Sequence, residues 1–107
     1  MAPTSIDTNT TTTDGSEQTL TTQTTANTYV FVIDTNAMVN GDILEIKIKT
    51  IVRASGTERI AYYVSYAHIQ GEPIKYSVPV PIDISIKVTL KRVAGSDHAY
   101  PWKILSL

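Results

Sequence analysis

From Ile74 to Leu90 every even-numbered position is apolar: Ile74, Tyr76, Val78, Val80, Ile82, Ile84, Ile86, Val88 and Leu90. The odd positions between them read Lys75, Ser77, Pro79, Pro81, Asp83, Ser85, Lys87 and Thr89. A repeat of two belongs to a strand with one face in a core and the other in water, and a helix cannot satisfy it. Proline cannot donate to a strand ladder. Pro79 and Pro81 therefore place this run at a sheet edge and bend it near Pro81 into a second strand, with the opposite sheet as its destination.

The same period governs the segment after Asn40-Gly41-Asp42, where Leu44, Ile46, Ile48, Thr50 and Val52 share one face and Glu45, Lys47, Lys49 and Arg53 the other. Ala54-Ser55-Gly56-Thr57 then predicts a hairpin turn into a strand from Glu58 to Ile69. In that strand Ile60, Tyr62, Val64 and Tyr66 are expected inward, with Arg59, Tyr63 and Ser65 outward. Gln70-Gly71-Glu72-Pro73 closes it. Tyr29 to Ile33 is apolar on both faces and predicts a strand covered on both sides. Ala94-Gly95-Ser96-Asp97 reads as a third hairpin, leading into a last strand over His98 to Leu107 with Trp102 and Ile104 on one face. No helical period is visible. The expected fold is all-β, a single β-sandwich or jelly-roll-like domain of about six to eight strands.

Residues 1–28 are of a different kind, with twelve threonines, the acids Asp7, Asp14 and Glu17, and no base. Ordering such a leader costs about 1–2 kcal/mol per residue, with little apolar burial to offset it. The expectation is an extended N-terminal arm over 1–28, loose by itself, followed by a β-sandwich domain over 29–107. Deleting the arm should then leave a folded body.

Charge and composition exclude much. The segment from Tyr29 onward holds nine bases against seven acids, about +2, too few and too evenly spread for a face that binds nucleic acid through many phosphates. No cysteine is present, so neither a disulfide frame nor a thiolate metal site can form. Met1-Ala2-Pro3-Thr4 lacks the basic and apolar regions of a secretory signal and no apolar run reaches bilayer length, so synthesis in a cytoplasm is expected and membrane insertion is not.

Catalysis needs a nucleophile with a base, a tuned acid–base pair or an open metal. His68 and His98 are the only imidazoles, thirty residues apart without paired carboxylates, and a structural role is the commoner one for each. The run from Asp34 to Asp42 has alternating oxygen side chains, but Met38 occupies a ligand position and no glutamate follows at the required spacing, so calcium is not expected. Asp83 reads as an edge charge that discourages aberrant pairing. Single glycines within turns make no phosphate cradle. Lys87, Lys91, Arg92 and Lys103 form a modest basic stripe only if the last two strands pair. Neither a catalytic residue, a cofactor nor a metal is expected, and the chain reads as a non-enzyme.

Contact surfaces are better supported. Ile43, Ile51, Tyr63, Ile69, Leu105 and Leu107 stand opposite the core register and together would make an apolar interface on the body. In the leader, Thr19, Leu20, Thr21, Thr22, Thr24 and Thr25 are candidates to dock as an added strand on a partner's sheet edge.

Gly41-Asp42-Ile43-Leu44-Glu45-Ile46-Lys47, Gly56-Thr57 with Ala61-Tyr62, Val88-Thr89-Leu90-Lys91 with Ala94-Gly95, and the closing Pro101-Trp102-Lys103 follow a Ser/Thr-rich leader. In these stretches the chain resembles the small all-β decoration, or cement, proteins of tailed-bacteriophage heads, over roughly Glu17 to Leu107. The resemblance implies a virion protein on the outer head surface, made in the host cytoplasm, that stabilises the shell by contacts bridging its subunits. It implies the major capsid protein and further copies of this chain, as dimers or trimers, for partners. Other virion parts, such as tail, neck or fibre components, share the same physics. A reading from another class is a carbohydrate- or nucleic-acid-binding module using Tyr62, Tyr63, Tyr66, Tyr76, Tyr100 or Trp102 as stacking platforms.

Overall fold

In the computed structural model, residues 3–107 are described, and nine strands among them pair into two antiparallel sheets. The strands are β1 (Thr4–Thr12), β2 (Gln18–Gln23), β3 (Asn27–Asp34), β4 (Ile43–Thr50), β5 (Arg59–Ala67), β6 (Ile74–Tyr76), β7 (Val80–Ile82), β8 (Ile86–Ala94) and β9 (Ala99–Ser106). Sheet I has the order β1-β9-β3, with β6 and β7 end to end against β3; sheet II has the order β2-β8-β4-β5. Counting β6 and β7 as one broken edge strand, the first strand pairs with the last, the second with the next to last, the third with the sixth and the fourth with the fifth. The chain is thus one long hairpin with its tip between β4 and β5, rolled so that successive pairs fall in alternate sheets. That is a jelly roll.

The core follows the period of two. Leu44, Ile46 and Ile48 from β4 and Ile86, Val88 and Leu90 from β8 meet Tyr29, Phe31 and Ile33 from β3 and Tyr100, Trp102 and Ile104 from β9. Phe31 and Trp102 stack in a tilted pair with centroids 6.2 Å apart. Each such side chain contributes about 1.5–3 kcal/mol on burial. As expected, Tyr29 to Ile33 is buried throughout, because β3 lies between β9 and the β6–β7 edge while Val30 and Val32 are covered on its outer side.

The leader is not a separate arm. Thr4–Thr12 is β1, paired with β9 from Thr4↔Ser106 to Thr12↔Ala99, and Gln18–Gln23 is β2, paired with β8. The expected boundary at residue 28 falls inside β3. An edge strand needs a ladder and one covered face, which threonine supplies with little apolar surface. Its hydroxyls add specific bonds: Trp102 Nε1 donates to Thr11 Oγ1 at 2.9 Å, and Thr8 Oγ1 donates to the Trp102 carbonyl at 3.1 Å. Between the two strands the leader turns the corner of the sandwich at Thr13, which is buried.

Four local expectations also change. Val52 is 82% exposed because β4 ends at Thr50. Ile60 turns outward because the β4–β5 register shifts between Ile48/Tyr62 and Lys49/Ile60, leaving Ala61 as an extra residue. Ala94 to Asp97 is not a hairpin: β8 lies in sheet II and β9 in sheet I, so the segment crosses between sheets.

The fourth change concerns the run of nine apolar even positions. The pairs Val32↔Tyr76 and Tyr29↔Val80 leave β3 three steps long where its partner takes four, so one extra residue lies between β6 and β7 beside Pro79. A single insertion exchanges the two faces of a strand. Val80, Ile82, Ile86, Val88 and Leu90 are therefore buried, while Ile74, Tyr76 and Val78 are exposed. The chain changes sheets at residues 83–85, just beyond the bend expected at Pro81.

Candidate interaction surface

The two outer faces differ in kind. On sheet II Lys47 and Lys49 of β4 and Lys87 of β8 are met by acids: Lys49 and Lys47 lie 3.4 and 3.8 Å from Glu17, Lys47 lies 3.8 Å from Glu45, and Lys87 lies 3.2 Å from Glu58. Thr89 Oγ1 donates to Glu17 at 2.9 Å, and the Tyr63 hydroxyl donates to Glu45 at 2.9 Å. The Thr89 bond, reinforced by Lys49 and Lys47, holds the Glu17 carboxyl below the ordinary glutamate range against its partial burial. Bonding to Glu45 pushes the Tyr63 phenol up. Exposed pairs of this kind contribute about 0–1 kcal/mol each, but they satisfy much of the charge on this face internally.

Over β3 and β6 the outer face of sheet I is largely apolar. Its parity places Val30 and Val32 of β3, Leu105 of β9 and Ile74 and Tyr76 of β6 on one side. An open groove of about 220 Å³ runs across it, lined by Val32, Ile74, Tyr76, Thr8, Asp34 and Lys103 among others. Val32 is 6% exposed and forms the floor, whereas Tyr76 is 63% exposed at the rim. Of the eleven large apolar side chains exposed among the described residues, six fall between Ile60 and Val78, along β5, β6 and their connection.

The interface residues expected from the sequence are dispersed. Ile43 and Tyr63 are on the outer face of sheet II, and Ile51 and Ile69 follow the ends of β4 and β5. Leu105 faces outward on sheet I, and Leu107 lies beyond β9, where its N–H donates to the Thr28 carbonyl at 2.9 Å. Ile43, Ile51 and Leu105 are half-buried; Tyr63, Ile69 and Leu107 are exposed. They form no single patch. In the leader, Leu20 packs on the core and Thr21 is buried at a bulge in β2, while Thr19, Thr22, Thr24 and Thr25 are exposed. The basic stripe does not assemble either, since Lys103 is on sheet I and Lys87, Lys91 and Arg92 are on sheet II.

Sequence reasoning missed Ile74, Tyr76 and Val78 as surface residues. A usable signal was present: seventeen residues in one register exceed an ordinary strand, so a break near Pro79 was required, and a break of one residue exchanges faces.

A second cluster is polar and lies where loops converge at one end of the sandwich. Asp42 is 1% exposed, yet it accepts the N–H groups of Val39 and Ser96 at 2.9 Å each, and His98 Nε2 stands 3.1 Å from Oδ2. Burial opposes its ionisation, but the two N–H groups and the imidazole outweigh that and hold its carboxyl below the ordinary aspartate range. The His68 N–H donates to the Asp42 carbonyl at 2.8 Å, and the Gly41 N–H donates to His68 Nδ1 at 2.9 Å. Burial, with Asp42 and Asp97 nearby, pushes the Tyr100 phenol up to about 12. The carboxylate is taken up by these donors, so the cluster ties loops together. Among the described residues no group of three or more His, Asp or Glu is placed to hold a metal ion.

No protein-family model, curated protein or solved structure matches this chain.

Proposed function

We propose that the chain is a non-enzymatic assembly protein that attaches to the outside of a protein shell, in the manner of a tailed-phage head decoration protein, through the outer face of sheet I. The observation that carries this reading is the register change between β6 and β7, which turns Ile74, Tyr76 and Val78 out of the core onto an already largely apolar face. Such a face is costly in water and marks a contact surface. The largely charge-satisfied face of sheet II makes it the natural solvent side. Many copies on a shell lattice would compensate for a small contact per copy by multivalency. The jelly roll itself supports the reading only by analogy, since the fold hosts many functions.

The test is co-sedimentation of the purified chain with DNA-free heads of the virion whose genome encodes it. An Ile74→Lys/Tyr76→Lys double variant should keep its far-ultraviolet spectrum and lose attachment at least tenfold. Undiminished attachment overturns the assignment of this face, and no attachment of the parent chain overturns the shell role. One observation favours a second reading: the groove sets an exposed tyrosine beside Asp34, Lys103 and Thr8, the mix of stacking and polar groups that saccharides use. Saturable signals on a glycan array that vanish with Tyr76→Ala would select it.

A further inference from the structure

All four sheet edges carry a device that keeps edges apart, but one leaves most of its length open. β1 is polar and bulged between Ser5 and Asp7, and β2 is bulged between Thr19 and Thr21. β6 and β7 are three residues each, with Pro79 and Pro81. The fourth edge, β5, is nine residues long; its bulge, at Ala61, lies near its start, and from Tyr62 to Ala67 it runs unbroken with neither a charge nor a proline. The bond from the His68 N–H to the Asp42 carbonyl sets the even-numbered backbone groups here toward β4. Those of Tyr63, Ser65 and Ala67 then point off the sheet, because successive residues of a strand alternate.

We propose that β5 pairs antiparallel with β5 of a second copy across a two-fold axis at Val64, joining two four-stranded sheets into one of eight. The occupant is argued from the strand's own pattern. Two copies related by a two-fold axis normal to the sheet must oppose residues of the same parity. Centred on Val64, Tyr62 opposes the tyrosine at 66 of the other copy, and the reverse pair lies on the far side of a central valine pair. Tyr63 opposes serine. Centring one position away, on Tyr63 or Ser65, sets Tyr62 against Val64 or His68 and loses both pairs between positions 62 and 66, and centring on Tyr62 or Tyr66 keeps a single tyrosine pair; such pairs contribute about 0.2–1 kcal/mol each across a sheet. No like charges are opposed within the paired segment, and Lys75 Nζ, 5.2 Å from the Tyr66 ring centroid, meets an aromatic face. The edge belongs to sheet II and does not use the sheet I groove, so this interface and the shell-binding face can fail separately.

The chain has no cysteine, which gives a clean test. In this pairing Val64 is a non-hydrogen-bonded pair with Cα atoms about 4.5 Å apart, within reach of a disulfide. Sedimentation equilibrium over a concentration series should show a monomer–dimer equilibrium. Ser65→Lys, at an exposed position, should weaken it at least tenfold while leaving the circular dichroism spectrum unchanged. Under a glutathione redox buffer Val64→Cys should form a disulfide dimer much faster than Val52→Cys, whose exposed loop position reports random collision. A chain that stays monomeric throughout overturns the proposal and leaves the edge to a foreign strand. So does a dimer indifferent to Ser65→Lys, with cross-linking at Val64→Cys no faster than at Val52→Cys.

Discussion

Asp42 fastens three segments with one carboxylate: the turn before β4 through Val39, the β8–β9 crossing through Ser96, and the start of β9 through His98. Removing it leaves two part-buried N–H groups without their acceptor, each costing up to about 1–3 kcal/mol, and empties a buried site. Asp42→Ala is therefore expected to lose about 2–4 kcal/mol in urea unfolding. Its folded pKa is depressed, so its ionic contribution is fully present above the unfolded value and is lost as pH falls through the folded one. The parent should thus lose stability steeply below about pH 4, and Asp42→Asn should flatten that slope while lowering the plateau at neutral pH. Equal acid slopes in the two proteins would remove this assignment. Gly95 belongs to the same contact: its φ is +92° and a Cβ there would come within 2.1 Å of Asp42 Oδ1. Gly95→Ala should destabilise comparably to Asp42→Ala, and the two losses should be less than additive in a double-mutant cycle. Local spacing identified Asn40-Gly41-Asp42 as a turn. It carried no sign that the turn's carboxylate reaches Ser96, because that contact exists only once two sheets have closed.

Among the elements, the leader is where composition misled. Its poverty in apolar residues is a correct reading of an edge strand's exposed surface, mistaken for an inability to order. What composition could not express is that β8 and β9 offer ladders lacking a neighbour. Deleting residues 1–23 should accordingly leave no stable body, because it strips one edge from each sheet, uncovers Trp102 and exposes the buried β8 and β9 ladders. The truncated chain is expected in the insoluble fraction or, if soluble, with a broad thermal transition and strong ANS binding. A sharp, cooperative melt close to that of the parent would restore the loose-arm reading. By contrast, β4, β8 and β9 were legible from periodicity and β3 from its continuous apolar run, since no bulge interrupts Leu44 to Ile48 or Ile86 to Leu90, where the inward residues set the core face. The failures at Ile60 and at Ile74 to Val78 share one cause: each lies across a single-residue insertion, and parity cannot be read through an insertion whose position is unknown.

For the whole molecule, the nested pairing fixes a hierarchy of loop lengths. β4 and β5 meet across a short connection, whereas Thr4 pairs with Ser106 at opposite ends of the chain. Closing the outer pair first would cost the most loop entropy, and the inner pair provides the surface on which the others align. Folding should start around β4, β5 and β8 and finish with β1 on β9, at the millisecond-to-second rates of all-β topologies. Stopped-flow chevrons on two variants check this. Ile48→Ala removes a fully buried side chain of β4, is expected to cost about 2–5 kcal/mol, and should act mainly by slowing refolding. Thr11→Val removes the acceptor for Trp102 Nε1 in β1 and should act mainly by speeding unfolding, with a φ-value near zero if its destabilisation exceeds about 0.6 kcal/mol. Because β1 would be the last strand to dock and the first to leave, amide exchange in Thr4–Thr12 should be faster than in β4 even under native conditions. Uniform exchange across both strands, with refolding slowed equally by the two variants, would mean instead that the ends close first and the roll forms as one unit.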